Sequence, residues 1–166
     1  MKKESDLLWF IFYNIVFLLP YFFFFTLLAW YEGSALLDVQ WEWKYTAFFS
    51  NVINGAVKKE SDISQLDFFI YAAKFRPVFP IFMVLTFSYI VTISAKLILK
   101  NSYNKLILFY SLFGLLFFFL TVFVSDSPTI GGKYFTILFI ILSIINFTIS
   151  LYHYIFRVRG MDNTKM

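Results

Sequence analysis

The sequence has no cysteine, a single histidine, and few residues that interrupt helices: six glycines and four prolines in 166 residues. Without cysteine there is no disulfide framework, no thiolate metal site and no thiol nucleophile. His153 alone rules out any centre that needs two imidazoles. Charge is also scarce, at 14% of residues, where soluble domains carry roughly 25%. The net charge of +4 is small and scattered, so no basic stripe exists that could track a nucleic acid. No phosphate-cradling glycine loop, nucleophile elbow or zinc-protease signature occurs, and no cofactor is implied.

What fills the chain is apolar surface. Sixty per cent of it is hydrophobic and 24% aromatic, with 25 Phe, 11 Tyr and 4 Trp, and the mean hydropathy is +0.74. One small globule would lack the polar residues to cover that much apolar surface. The solvent for most of the chain is therefore a lipid bilayer.

About 20 consecutive apolar residues cross the hydrocarbon as a helix, and four stretches are long enough: about 7–30, 78–99, 106–124 and 134–156. The fold expected is an all-α membrane protein of four transmembrane helices, a single polytopic domain. Met1-Lys2-Lys3 before the first run imitates a secretory signal, but the run is long and no small-x-small site precedes Trp30-Tyr31-Glu32. It reads as an uncleaved signal anchor.

Lysine and arginine bias sets orientation. With both termini cytoplasmic, the inner side holds eight bases (Lys2, Lys3, Lys96, Lys100, Lys105, Arg157, Arg159 and Lys165) and three acids (Glu4, Asp6 and Asp162). The outer side then holds six bases and seven acids, most of them in one long loop. A multi-pass plasma-membrane protein with both termini inside is the expectation.

That outer loop, about 31–77, is the extramembrane region of any size. Trp41, Trp43 and Tyr45 alternate with Glu42, Lys44 and Thr46, a strand period with one aromatic face. Asn54-Gly55 between Val52-Ile53 and Ala56-Val57 signals a short β-hairpin. Asp62-Ile63-Ser64-Gln65 is close to a capping box. After it, Ile63, Leu66, Ile70 and Ala73 recur at helical spacing, which predicts an amphipathic helix lying in the membrane interface. Pro77 and Pro80 close that helix and open the second span.

Tyr31-Glu32-Gly33-Ser34, the Trp41-Glu42-Trp43-Lys44-Tyr45 block and the run from Asp62 to Pro80 resemble the YjdJ-like family of small membrane proteins from Gram-positive, spore-forming bacteria. The resemblance covers roughly Ala29 to Lys105. It implies a topology and a plasma-membrane address but no catalytic residue, because the family has no established activity.

Two constellations could carry function. The first is the aromatic set Trp41, Trp43 and Tyr45, which suits a partner protein in the membrane or envelope. The second is a stripe on the fourth helix, including Ser143, Asn146, Ser150 and His153, which reads as a polar path or as packing between helices. The outer acids Glu32, Asp38, Asp67 and Asp126 read as solvated loop charges rather than a catalytic pair. The function expected is thus a non-enzymatic accessory or interaction protein, with a small transporter or channel component as the alternative.

Overall fold

The computed structural model describes the backbone of residues 2–100 and 102–162, and the side chains of residues 9, 12–100 and 102–158. Among the charges assigned to the inner side, the side chains of Lys2, Lys3, Glu4, Asp6, Arg159 and Asp162 and the whole of Lys165 lie outside the described residues.

Seven helices appear among the described residues: α1 (Lys2–Gly33), α2 (Trp43–Thr46), α3 (Phe48–Asn54), α4 (Gln65–Phe75), α5 (Val78–Ile98), α6 (Tyr103–Ser125) and α7 (Ile130–Asp162). Short 3₁₀ turns at Ser34–Asp38, Gln40–Glu42 and Glu60–Asp62 link the small ones. Four segments are long and apolar enough to cross a membrane: Phe12–Asp38, Val78–Ile98, Tyr103–Ser125 and Ile130–Val158. Large apolar side chains such as Phe17, Leu27, Phe123 and Ile144 stand exposed on them. Helices with such apolar outer faces suit lipid rather than water as their surroundings.

Local chemistry sets the ends. Pro77 lies in helical geometry just before α5, and Pro80 falls in its first turn, where no intrahelical N–H is needed. The Thr129 hydroxyl accepts the Gly132 N–H at 3.1 Å and so caps α7. Pro20 sits inside α1, whose helical course continues on both sides of it.

The long helices form two pairs. α1 packs along α5, with Phe25 stacked on Phe82 at 5.1 Å. α6 packs along α7 around Phe117, Phe135, Phe139 and Leu142. α5 and α6 touch only sparsely, one link being the Tyr110 hydroxyl on the Thr92 carbonyl at 3.2 Å. What joins the pairs at one end is α4, which packs against α1, α5 and α7.

Residues 34–77 make a helical cap, which corrects the expected β-hairpin: no strand exists among the described residues. Asn54 is the last residue of α3, and Gly55 follows with a φ of 75°. A tight hairpin and a helix end both demand positive φ from glycine, so Asn-Gly satisfies either. The Trp41-to-Tyr45 alternation fails as a strand for a similar reason. From Trp41 to Ser50, exposed and buried residues succeed one another in a period near four rather than two, so Trp41 and Tyr45 face out while Trp43 faces in.

The amphipathic helix is present as α4, with its buried face elsewhere than the spacing implied. Ser64 rather than Asp62 is its cap, accepting the Leu66 N–H at 3.3 Å. Asp67, Phe68 and Ala72 are buried, while Leu66 is exposed. The cause is contact on two sides at glycines. A Cβ on Gly33 of α1 would lie 2.0 Å from the Phe68 carbonyl oxygen, and one on Gly131 of α7 would lie 1.7 Å from the Ala73 carbonyl oxygen. Side chains at either position would hold α4 away.

Gly33→Ala and Gly131→Ala should each therefore lower stability by about 1–3 kcal/mol, the usual cost of forcing atoms into a packed contact. Thermal unfolding of the detergent-purified variants checks this. Unchanged midpoints would mean that α4 does not sit this close to both neighbours.

Candidate functional site

The cap is built around a small apolar centre and two buried polar nodes. Leu36, Trp43, Ala47 and Phe68 form the centre, with Leu37, Val57, Ile63 and Tyr71 packed on it. The Trp43 indole N–H donates to the Leu36 carbonyl at 2.8 Å, so its one polar atom is satisfied inside.

Asp67 is the first node. Its side chain is fully buried, and its carboxylate accepts the backbone N–H groups of Phe49 at 2.8 Å and Ser50 at 2.9 Å. These are orphan donors in the first turn of α3, where the residue before the helix, Ala47, has no polar side chain to offer. The Ser50 hydroxyl also donates to Asp67, and itself accepts the Ser64 N–H at 2.7 Å. Asp67 in addition lies in the first turn of its own helix, where negative charge is favoured. One carboxylate thus serves two helix N-termini.

The second node ties α2 to α4. The Thr46 hydroxyl donates to the buried Glu42 carboxylate at 2.7 Å. The Lys74 ammonium donates to the Tyr45 carbonyl at 2.9 Å and to the Thr46 hydroxyl at 3.0 Å. Partial burial holds the Lys74 pKa below its ordinary value, and the nearby Glu42 charge opposes that shift.

These nodes turn the segment inside out relative to a soluble helix. Its polar residues Glu42, Thr46 and Ser50 are buried, while Trp41 (69% exposed), Tyr45, Phe48, Val52 and Ile53 stand outside. Trp41 lies in the Gln40–Glu42 3₁₀ turn, Tyr45 in α2, and Phe48, Val52 and Ile53 in α3, so the exposed set comes from three successive short elements. Of the aromatic trio, then, Trp41 and Tyr45 lie on this exposed face, and Trp43 belongs to the core behind it. Sequence spacing missed Phe48, Val52 and Ile53, although the four-residue period that finds them is present in the chain.

On α7 the polar stripe lies mostly in the seam with α6. The Ser143 hydroxyl donates to the Gly114 carbonyl at 2.9 Å. The Ser150 hydroxyl donates to the Ile107 carbonyl at 3.1 Å and lies 2.8 Å from the Ser111 hydroxyl. Asn146 is buried, and its amide N–H donates to the Leu142 carbonyl at 2.8 Å. Its Oδ1 and the Nδ1 of His153 have no hydrogen-bond partner among the described residues. The His153 ring lies parallel to that of Tyr110, with centroids 5.7 Å apart.

Residues 11–99 match the family described as "Domain of unknown function (DUF4306)". The uncharacterized protein YjdJ of Bacillus subtilis (strain 168) is 42% identical over 86 residues, covering 51% of this chain and 79% of that protein. No solved structure matches. The family match takes in α1, the cap and α5, and it ends before α6.

Asp67→Asn should destabilise the protein by about 3 kcal/mol or more, because an amide leaves some of the three donors unsatisfied in a buried place. Chemical or thermal unfolding of the purified variant measures it. A loss under about 1 kcal/mol, the scale of a single neutral hydrogen bond, would contradict the node.

Proposed function

The chain belongs to the DUF4306 family, and from that premise we propose that it is a non-enzymatic accessory protein of the bacterial plasma membrane that grips another membrane or envelope protein through the exposed aromatic face of its cap. The observation carrying this reading is the inverted cap. Two buried polar nodes hold Trp41, Tyr45, Phe48, Val52 and Ile53 outward at the end of a helix bundle. Large apolar residues exposed together on an extramembrane segment suit an interaction site, and Trp and Tyr are among the residues that most often anchor one. The bias of lysine and arginine supports an orientation with both termini in the cytoplasm and the cap outside. The alternative, a small transporter or channel component along the α7 stripe, finds less support, because Ser143 and Ser150 are hydrogen-bonded across the α6–α7 seam.

The buried and exposed aromatics should separate cleanly. Trp41→Ala and Tyr45→Ala should abolish co-purification of a partner while leaving abundance and thermal midpoint unchanged. Trp43→Ala should instead lower stability by about 3–5 kcal/mol, as deletion of a core indole does. A graded, equal loss of co-purification across Trp41, Tyr45, Phe48 and Val52 would indicate a face that rests on lipid, and would sink the partner reading.

Topology is checked in intact cells with single cysteines in this cysteine-free chain. Ser61→Cys and Ser127→Cys should react with a membrane-impermeant thiol reagent, and Ser102→Cys should stay shielded until the cells are permeabilised. Labelling at position 102 in intact cells would reverse the orientation.

A further inference from the structure

A half-open groove of about 420 Å³ runs between α4 and the cap-end halves of α6 and α7. Its body is apolar, walled by Leu120, Phe135 and Phe139. Lys74, Ser127 and Thr129 line its cap-end mouth. Between Gly132 and Phe139 the walls descend about 10 Å along α7, two turns of helix. At the side stands Phe123, 86% exposed, so the groove opens laterally on the surface that the spanning helices turn toward lipid.

This gradient from charge to hydrocarbon fits one kind of occupant. An ammonium has three N–H donors, and Lys74 directs two of them to Tyr45 and Thr46, which leaves a third for an anion at the mouth. The Ser127 and Thr129 hydroxyls, 2.9 Å apart, line the same groove; one proton is used between them and Thr129 accepts the Gly132 N–H, which leaves one hydroxyl proton to donate. Below them nothing polar lines the walls, so the lower part suits an alkyl chain and not water. The volume falls within the range of small-molecule sites.

We propose that this groove is a binding site for a single anionic phospholipid, its phosphate at Lys74, Ser127 and Thr129 and one acyl chain against Leu120, Phe135 and Phe139. The site is separate from the aromatic face of the cap and stands whether or not that face binds a partner.

The test uses the full chain, delipidated in mild detergent and titrated with phosphatidylglycerol or phosphatidylcholine of matched chains, with native mass spectrometry counting adducts. One saturable phosphatidylglycerol adduct is expected. Leu120→Trp, which fills the groove, should weaken it about tenfold, while Ile144→Trp on the exposed face of α7 should not. Lys74→Gln should reduce the preference for phosphatidylglycerol over phosphatidylcholine to near unity. Should Leu120→Trp fail to fold, a phosphatidylglycerol carrying a photoreactive acyl chain decides the matter on the unmodified protein, by crosslinking to Leu120, Phe135 or Phe139. Graded, unsaturable adducts of both lipids, or crosslinks spread over all four spans, would overturn the proposal. A dimer that Leu120→Trp converts to monomer, with lipid adducts unchanged, would overturn it too, by making a second copy the occupant.

Discussion

A carboxylate removed from water must be met by donors, and in this protein the donors that meet Asp67 are the ends of helices. α3 has only seven residues and follows an alanine, so it lacks a local cap. Isolated helices of that length are unstable in water. α3 therefore depends on an acid 17 and 18 residues further along the chain, and Asp67 depends equally on α3 to be satisfied. Neither element is stable in its place without the other. The outward position of Phe48, Val52 and Ile53 on α3 rests on that mutual requirement.

From this node the architecture extends through α4. Asp67 faces α3, Phe68 faces the cap centre and α1, and Ala73 reaches α7. Lys74, one residue further, fastens the same helix to α2. An eleven-residue helix thus makes contacts in nearly all directions, which explains why so little of it resembles a helix floating on a membrane surface. It explains also why the two helix pairs need not press together along their lengths.

The spans were legible because unbroken apolar runs leave few alternatives, and the start of α5 was legible from Pro77 and Pro80. α4 could be found from the helical spacing after Asp62, although Ser64, not Asp62, is its cap. The cap was misread where local signals serve two structures. Asn54-Gly55 asks for positive φ in a hairpin and at a helix end alike, and Trp41, Trp43 and Tyr45 have strong strand propensity that packing overrides. The burial of Asp67 and Glu42 was not legible at all, since their partners are set by tertiary contact and loop acids are ordinarily solvated. On the candidate site the result is mixed: Trp41 and Tyr45 are exposed, Trp43 is not, and three aliphatic and aromatic neighbours went unnoticed.

The sparse contact between α5 and α6 has a consequence for how the protein is made. The cap's defining hydrogen bonds, and the contacts of α1 with α5, all lie within the first 99 residues, the stretch that also matches the family. The 86 matched residues of the YjdJ relative already make up 79% of it, too much to leave room for two more spans the length of α6 and α7. During synthesis, the N-terminal part can then complete its own set of contacts before α6 and α7 leave the ribosome. The pair of α6 and α7 then meets α4 at Gly131. Assembly in this order would be accretion onto a completed unit, in which an added hairpin needs to match one short helix and a few residues of α5.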